Sequence, residues 1–226
     1  MLWTLIAGIT MGLNKSELTP KRKSQSGWTV LLVLWAAVTL GAAETKSIIF
    51  FGDSLTAGYG VDPDEAYPAL IQKKIDEAQL PWRVVNAGLS GETTAGGLRR
   101  LDWILRQRVD IFVIELGGND GLRGIAPANT RANLETMIAR VRQRYPDAKV
   151  IIAGMQMPTN MGPEHRQAFA AIYPEIAEAS GTLLIPFLLD RVGGDPRLNQ
   201  PDGIHPTPEG HKIVAETVWR TLQPLL

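Results

Sequence analysis

Four short polar segments carry residue types that can do chemistry together: Gly52-Asp53-Ser54-Leu55, Asn86-Ala87-Gly88-Leu89-Ser90-Gly91-Glu92, Gly117-Gly118-Asn119-Asp120 and Asp202-Gly203-Ile204-His205. A serine hydroxyl is a weak nucleophile until a neighbouring base takes its proton, and the chain offers three histidines for that task, His165, His205 and His211. His205 is the best placed. Asp202 precedes it by three residues in an Asp-Gly turn, and Pro206 follows it, which favours extended backbone and keeps the imidazole out of a helix. Asp202 can then accept from one ring nitrogen and leave the other as the base for Ser54. His211, inside the closing helical segment, and His165, near the start of another, read as surface or capping histidines.

Attack of a serine on a carbonyl puts negative charge on its oxygen, which calls for fixed donors that carry no net charge themselves. The Gly91 N–H and the Asn119 amide fit that need. Taken singly, Ser54 would read as a turn or cap residue, Gly91 as a positive-φ turn and Asn119 as a strand-end turn former. Together they form a set. Asp53 is expected to hold its turn and Asp120 to brace a loop. Glu92 and Asp102 read as solvated helix residues, and Trp82, Trp103 and Trp219 as core or edge packing.

These segments need elements to bring them together. Short, nearly continuous apolar runs at Ser47 to Gly52, Arg83 to Asn86, Ile111 to Leu116, Lys149 to Met155 and Thr182 to Ile185 read as strands covered on both faces, as in a parallel sheet. Helical periodicity fills the intervals at about Tyr67 to Ala78, Thr93 to Gln107, Thr130 to Tyr145 and Pro163 to Ser180, and a last helix runs from about Pro208 to Leu222. Thr207-Pro208-Glu209 is a strong start for it, a hydroxyl cap followed by proline where a missing N–H costs nothing. The alternation of strand and helix predicts a doubly wound α/β sandwich, whose ligand site lies beyond the carboxyl ends of the strands. All four polar segments fall at such positions.

Composition narrows the classes. Twenty-three basic residues balance twenty-three acidic ones in 226, so no cationic surplus favours nucleic acid or anionic lipid as a partner. With no cysteine there are no disulfides, no thiolate catalysis and no lipoprotein-type Cys anchor. Lys21-Arg22-Lys23, the apolar run Trp28 to Leu40 and Gly41-Ala42-Ala43 read as a secretory signal with cleavage after Ala43, so residues 1–43 are expected to be an N-terminal extension and 44–226 the folded domain. Thirteen helical residues rise about 20 Å, short of the roughly 30 Å of hydrocarbon, so no stable membrane span is expected after cleavage. Met11 is a second candidate start.

Gly52-Asp53-Ser54-Leu55, Gly91, Gly117-Gly118-Asn119-Asp120 and Asp202-Gly203-Ile204-His205-Pro206 resemble, in order and spacing, the blocks of the SGNH (GDSL) hydrolase family. Glu115 to Gly124 and Ala171-Ile172-Tyr173-Pro174 are similar to its bacterial periplasmic thioesterase, lysophospholipase and arylesterase group, over essentially all of Ser47 to Leu226. The resemblance implies a three-layer flavodoxin-like sandwich on a five-stranded parallel sheet. It also implies Ser54 as nucleophile, His205 as base then acid, Asp202 as its orienting carboxylate, and the Ser54 N–H, Gly91 N–H and Asn119 side chain as the oxyanion hole. Gly121 to Ile125 would form a mobile loop over the acyl site and Met155 to Gly162 would line the groove, making Gly121, Leu122, Arg123, Met157 and Pro158 the substrate-binding candidates. Thr56 departs from the serine found in close relatives, and the N-terminal extension lies outside the match.

The expected partner is a small acyl ester or thioester, lysophospholipid included, with no metal and no cofactor, in the bacterial periplasm or outside the cell. Two rivals stand beside this: a carbohydrate O-deacetylase on the same machinery, and a flavin- or nucleotide-binding module using Gly52-Asp53-Ser54 as a phosphate cradle.

Overall fold

The computed structural model describes residues 44–226; the expected signal segment and its cleavage point lie outside the described residues. Five parallel strands form one sheet in the order β2-β1-β3-β4-β5, with β1 at Lys46–Gly52, β2 at Trp82–Gly88, β3 at Ile111–Glu115, β4 at Lys149–Ala153 and β5 at Leu183–Ile185. The central strands are the most apolar. Ile48 to Gly52 of β1 and all five residues of β3 are buried, whereas the edge strand β2 mixes buried and exposed positions because one side of it meets no further strand.

Among the described residues seven α-helices surround the sheet: α1 (Ser54–Ala57), α2 (Tyr67–Glu77), α3 (Thr94–Ile104), α4 (Gly118–Leu122), α5 (Pro127–Arg144), α6 (Pro163–Ser180) and α7 (Pro208–Leu222). Helix α2 packs on α7, while α5 packs on both α3 and α6, giving the two outer layers of an α/β/α sandwich. The predicted start of α7 is found as read: the Thr207 hydroxyl accepts from Gly210 N–H and Pro208 opens the first turn.

Several boundaries differ from those expected of the sequence, among them the end of α3 at Ile104 rather than Gln107, and three have a clear cause. β2 extends in both directions because it pairs residue for residue with β1, from Lys46↔Trp82 to Gly52↔Gly88. β4 ends at Ala153 rather than Met155, since Gly154 N–H turns to bond Ile185 O. α5 begins at Pro127, a favourable first helical residue, three positions before the expected Thr130. The short α1 and α4 carry too few residues for periodicity to announce them.

The chain enters at β1, goes out to β2, then crosses to β3 on the far side, so the order reverses between β1 and β3. That switch point opens a crevice at the carboxyl ends. The register pairs Gly52 with Glu115, so the segments after both strands begin side by side.

Candidate active site

Ser54 opens α1 directly after β1. Asp53 caps this one-turn helix, its Oδ1 accepting from Leu55 N–H at 3.0 Å, and Gly58 ends it in the left-handed conformation with φ +77°. Ser54 is thus fixed on a turn tightened at both ends, with its side chain in the crevice.

His205 comes from the loop before α7. Its Nε2 lies 2.8 Å from Ser54 Oγ, and its Nδ1 lies 2.7 Å from Asp202 Oδ2. Asp202 Oδ1 accepts from the N–H groups of Ile204 at 2.9 Å and His205 at 3.0 Å. Partial burial pushes the Asp202 carboxyl up, but the hydrogen bonds from the His205 backbone and ring and from Ile204 outweigh it and lower its pKa to about 2. A carboxylate can only accept, so the Nδ1 proton sits toward Asp202 and Nε2 is left as the acceptor facing Ser54. The three side chains therefore form a continuous hydrogen-bonded chain from hydroxyl to imidazole to carboxylate.

The oxyanion candidates come from two other strand ends. Gly91 lies in the turn after β2 with φ +76°, where a side chain would be strained. Asn119, in α4 after β3, donates from Nδ2 to Asp53 Oδ2 at 3.0 Å. Arg123 ties the two segments together, donating to Gly91 O at 2.9 Å and lying 3.4 Å from Asn119 Oδ1.

Beneath Ser54 lies a buried polar cluster. Glu115 Oε2 accepts from Thr56 Oγ1 at 2.7 Å and Asp53 N–H at 3.2 Å, and Tyr67 Oη stands 2.7 Å from Thr56 Oγ1. Thr56 thus has a defined function of its own, because its hydroxyl joins the tyrosine to the glutamate. Burial, with the Asp53 charge beside it, pushes the Glu115 carboxyl well above the usual range, and burial raises Asp53 to about 6.

A groove of about 430 Å³ runs past these groups, lined by Ser54 and His205 and by the apolar side chains of Leu55, Leu122, Met155, Met157, Phe187 and Leu189. Of the substrate-binding candidates, Leu122, Met157 and Pro158 line it. Gly121 does not, being buried where a Cβ would overlap Met157 Sδ. Arg123 is not part of the lining either and bonds to the Gly91 segment instead. Within the expected Met155 to Gly162 stretch the lining stops at Thr159. Phe187 and Leu189 escaped the sequence reading, although they follow β5 at its carboxyl end and the strand-end rule applied to β5 would have flagged them.

Other residues depart from expectation. His211 is buried, not at the surface: its Nδ1 accepts from Tyr67 N–H at 3.3 Å, capping α2 rather than its own helix. His165 Nε2 lies 3.1 Å from Gly121 O, so it meets α4 instead of solvent alone. Glu92 is buried and paired with Arg100, whose guanidinium lies over the Phe51 ring and also donates to Gly52 O. Trp103 is 65% exposed, on the outer face of α3, and packs in no core. Asp120, by contrast, braces its segment as expected, accepting from Thr94 N–H at 2.8 Å and from Thr130 Oγ1 at 3.3 Å and so tying α4 to α3 and α5.

Among the described residues, no cluster of three or more His, Cys, Asp or Glu side chains is arranged to hold a metal ion. The turn after β1 also makes a poor phosphate cradle. The Asp53 carboxylate already occupies the N–H of Leu55 there, so the nucleotide-module reading fails on charge.

The model of the GDSL-like Lipase/Acylhydrolase family matches residues 50–213. The chain is 43% identical over 185 residues to esterase TesA of Pseudomonas aeruginosa, covering 81% of this chain and 91% of that one. It is 36% identical over 200 residues to thioesterase 1/protease 1/lysophospholipase L1 of Escherichia coli, covering 88% and 94%. Among solved structures it superimposes on a crystal structure of TesA with a TM-score of 0.77 at 43% identity, covering 80% of this chain and all of that one. On the esterase EstA from Pseudoalteromonas sp. inhibited by monoethylphosphonate, the TM-score is 0.75 at 30% identity, covering 80% and 98%. A match spanning β1 to α7, with relatives above 30% identity along nearly their whole length, makes this chain an ester hydrolase of the GDSL-like lipase/acylhydrolase family.

Proposed function

We propose that the protein cleaves oxygen esters and thioesters of fatty acyl chains, lysophospholipids included, with Ser54 as nucleophile, His205 as base and then acid, and Asp202 orienting the imidazole. The observation that carries this is the relay of 2.8 Å and 2.7 Å from Ser54 through His205 to Asp202, set beside an apolar groove. His205 Nε2 takes the Ser54 proton as Oγ bonds to the acyl carbon. The tetrahedral oxyanion accepts from the N–H groups of Ser54 and Gly91 and from the free amide proton of Asn119. As the carbonyl re-forms, the bond to the leaving oxygen or sulfur breaks and His205 returns the proton to it. Water, deprotonated by the same nitrogen, then frees the acid by the reverse sequence.

Leu122, Met157 and Pro158 supply apolar surface for an acyl tail. Burial of each methylene is worth about 0.8 kcal/mol, so a groove of this character rewards chains longer than acetyl. The same feature disfavours the O-deacetylase alternative. A bacterial periplasmic or secreted location is inferred from Lys21 to Ala43, with Glu44 as the first residue of the exported protein; recovery of that protein with its leader intact would contradict it. No helix among the described residues is long and apolar enough to cross a membrane.

The test is Ser54→Ala assayed on p-nitrophenyl esters from acetyl to palmitoyl and on acyl-CoA thioesters. Turnover should fall by about three orders of magnitude or more, and covalent labelling by a serine-directed phosphonate should disappear. A Ser54→Ala enzyme with wild-type turnover would sink the proposal. A sharp preference for acetyl over octanoyl would move the assignment to the deacetylase.

A further inference from the structure

We infer that Tyr59 and Gln200 act as positioning residues that set the distance and orientation of the His205 ring over Ser54. This rests on the reading of His205 as the base.

Ser54 and His205 are 151 residues apart in the chain, on separate loops, yet must hold 2.8 Å between them. The His205 loop is closed on itself by the Asn199↔Pro206 bridge and by Thr207 N–H to Leu198 O at 2.9 Å, and Asn199 Nδ2 anchors its base to Val192 O at 2.7 Å. None of these contacts reaches the serine.

Gln200 supplies the missing connection. Its backbone N–H donates to His205 O at 2.7 Å, while its Nε2 donates to Tyr59 O at 2.7 Å and Pro206 O at 3.0 Å. Tyr59 in turn donates its backbone N–H to Ser54 O at 3.0 Å. A continuous run of hydrogen bonds therefore links the nucleophile's backbone to the base's backbone through one side-chain amide. The turn is shaped for it. Gly60 has φ +78°, and a Cβ there would overlap the Gln200 amide.

Tyr59 adds a second contact from the same turn. Its ring centroid lies 4.6 Å from that of His205, tilted by 44°, although the residue is 53% exposed and contributes nothing to the core. An aromatic face within about 6 Å of a cation attracts it, so this ring favours the imidazolium that forms as Ser54 loses its proton. An interaction of that kind is stronger in the transition state than in the ground state, and its loss should lower kcat rather than raise KM.

The experiment compares Gln200→Leu, Tyr59→Leu and Tyr59→Phe in the full chain on one soluble ester, with folding checked by circular dichroism. Gln200→Leu and Tyr59→Leu should each lower kcat about tenfold with KM within about twofold, and Tyr59→Phe, which keeps the ring, should recover the rate. The downfield proton signal of the His205 Nδ1–H, bonded to Asp202, should broaden in Gln200→Leu as the ring loosens. A kcat at the wild-type value in either leucine variant overturns the inference. So does a rise in KM alone, which would make Tyr59 a substrate contact, or a Tyr59→Phe as slow as Tyr59→Leu. None of these results touches the nucleophile assignment, which stands or falls on phosphonate labelling at Ser54.

Discussion

Asn119 gives one of its two amide protons to Asp53 Oδ2 over 3.0 Å, so the residue before Ser54 fixes the side chain proposed as an oxyanion donor. The amide cannot rotate without breaking a bond to a carboxylate that is itself held by Leu55 N–H. The donor is thus oriented before substrate arrives, which is the condition under which such a donor contributes most.

Asn119→Ala should therefore lower kcat by about a hundredfold to a thousandfold with little change in KM, because the donor acts on charge that develops only in the transition state. Steady-state kinetics on a single p-nitrophenyl ester reads it. An unchanged kcat would show that the Ser54 and Gly91 N–H groups suffice.

Glu115 is fully buried with Oε1 unpartnered among the described residues, and its carboxyl is pushed toward the neutral form by burial and by Asp53. Glu115→Gln keeps the shape, the neutrality and an acceptor for Thr56 Oγ1 and Asp53 N–H, and should leave the urea midpoint at pH 7 close to wild type. Glu115→Leu strands both donors and should cost about 1–3 kcal/mol per unsatisfied group. Equal midpoints for the two variants would remove Glu115 from the supporting network.

His211 accepts from Tyr67 N–H through Nδ1, so its proton resides on Nε2, buried and unpartnered among the described residues. Burial, with His205 nearby, lowers its pKa from 6.5 to about 4. The unfolded chain then binds more protons than the native one between those values, so the stability this residue contributes is whole above pH 6.5 and is lost as pH falls toward 4. His211→Asn keeps a short acceptor for Tyr67 and removes the titration. Denaturant midpoints at pH 7 and pH 5 should fall less in the variant than in the wild type, whereas parallel falls would contradict the assignment. Asp53, raised to about 6 by burial, contributes the opposite slope in both proteins and cancels from the comparison.

Much of this protein is written locally in its sequence. The buried runs Ile48 to Gly52 and Ile111 to Glu115 need partners on both faces, and Thr207-Pro208 starts a helix, because burial and capping depend on neighbours a few residues away. The chemical types at Ser54, Asn119, Asp202 and His205 were legible for the same reason: each stands in a short segment whose composition is unusual for a turn. What the sequence could not decide is what depends on distance in space. His211 and Glu92 look like helix-surface residues until α2 packs over the one and Arg100 reaches the other, while Trp103 looks like core until α3 turns it outward. Only the reversal of strand order between β1 and β3 brings Asp53 against Glu115 and Asn119, and only the return of the chain before α7 lays Gln200 across Tyr59. Helix and strand signals are short-range, whereas burial and hydrogen-bond partnership across 60 or 140 residues arise when the layers close on one another.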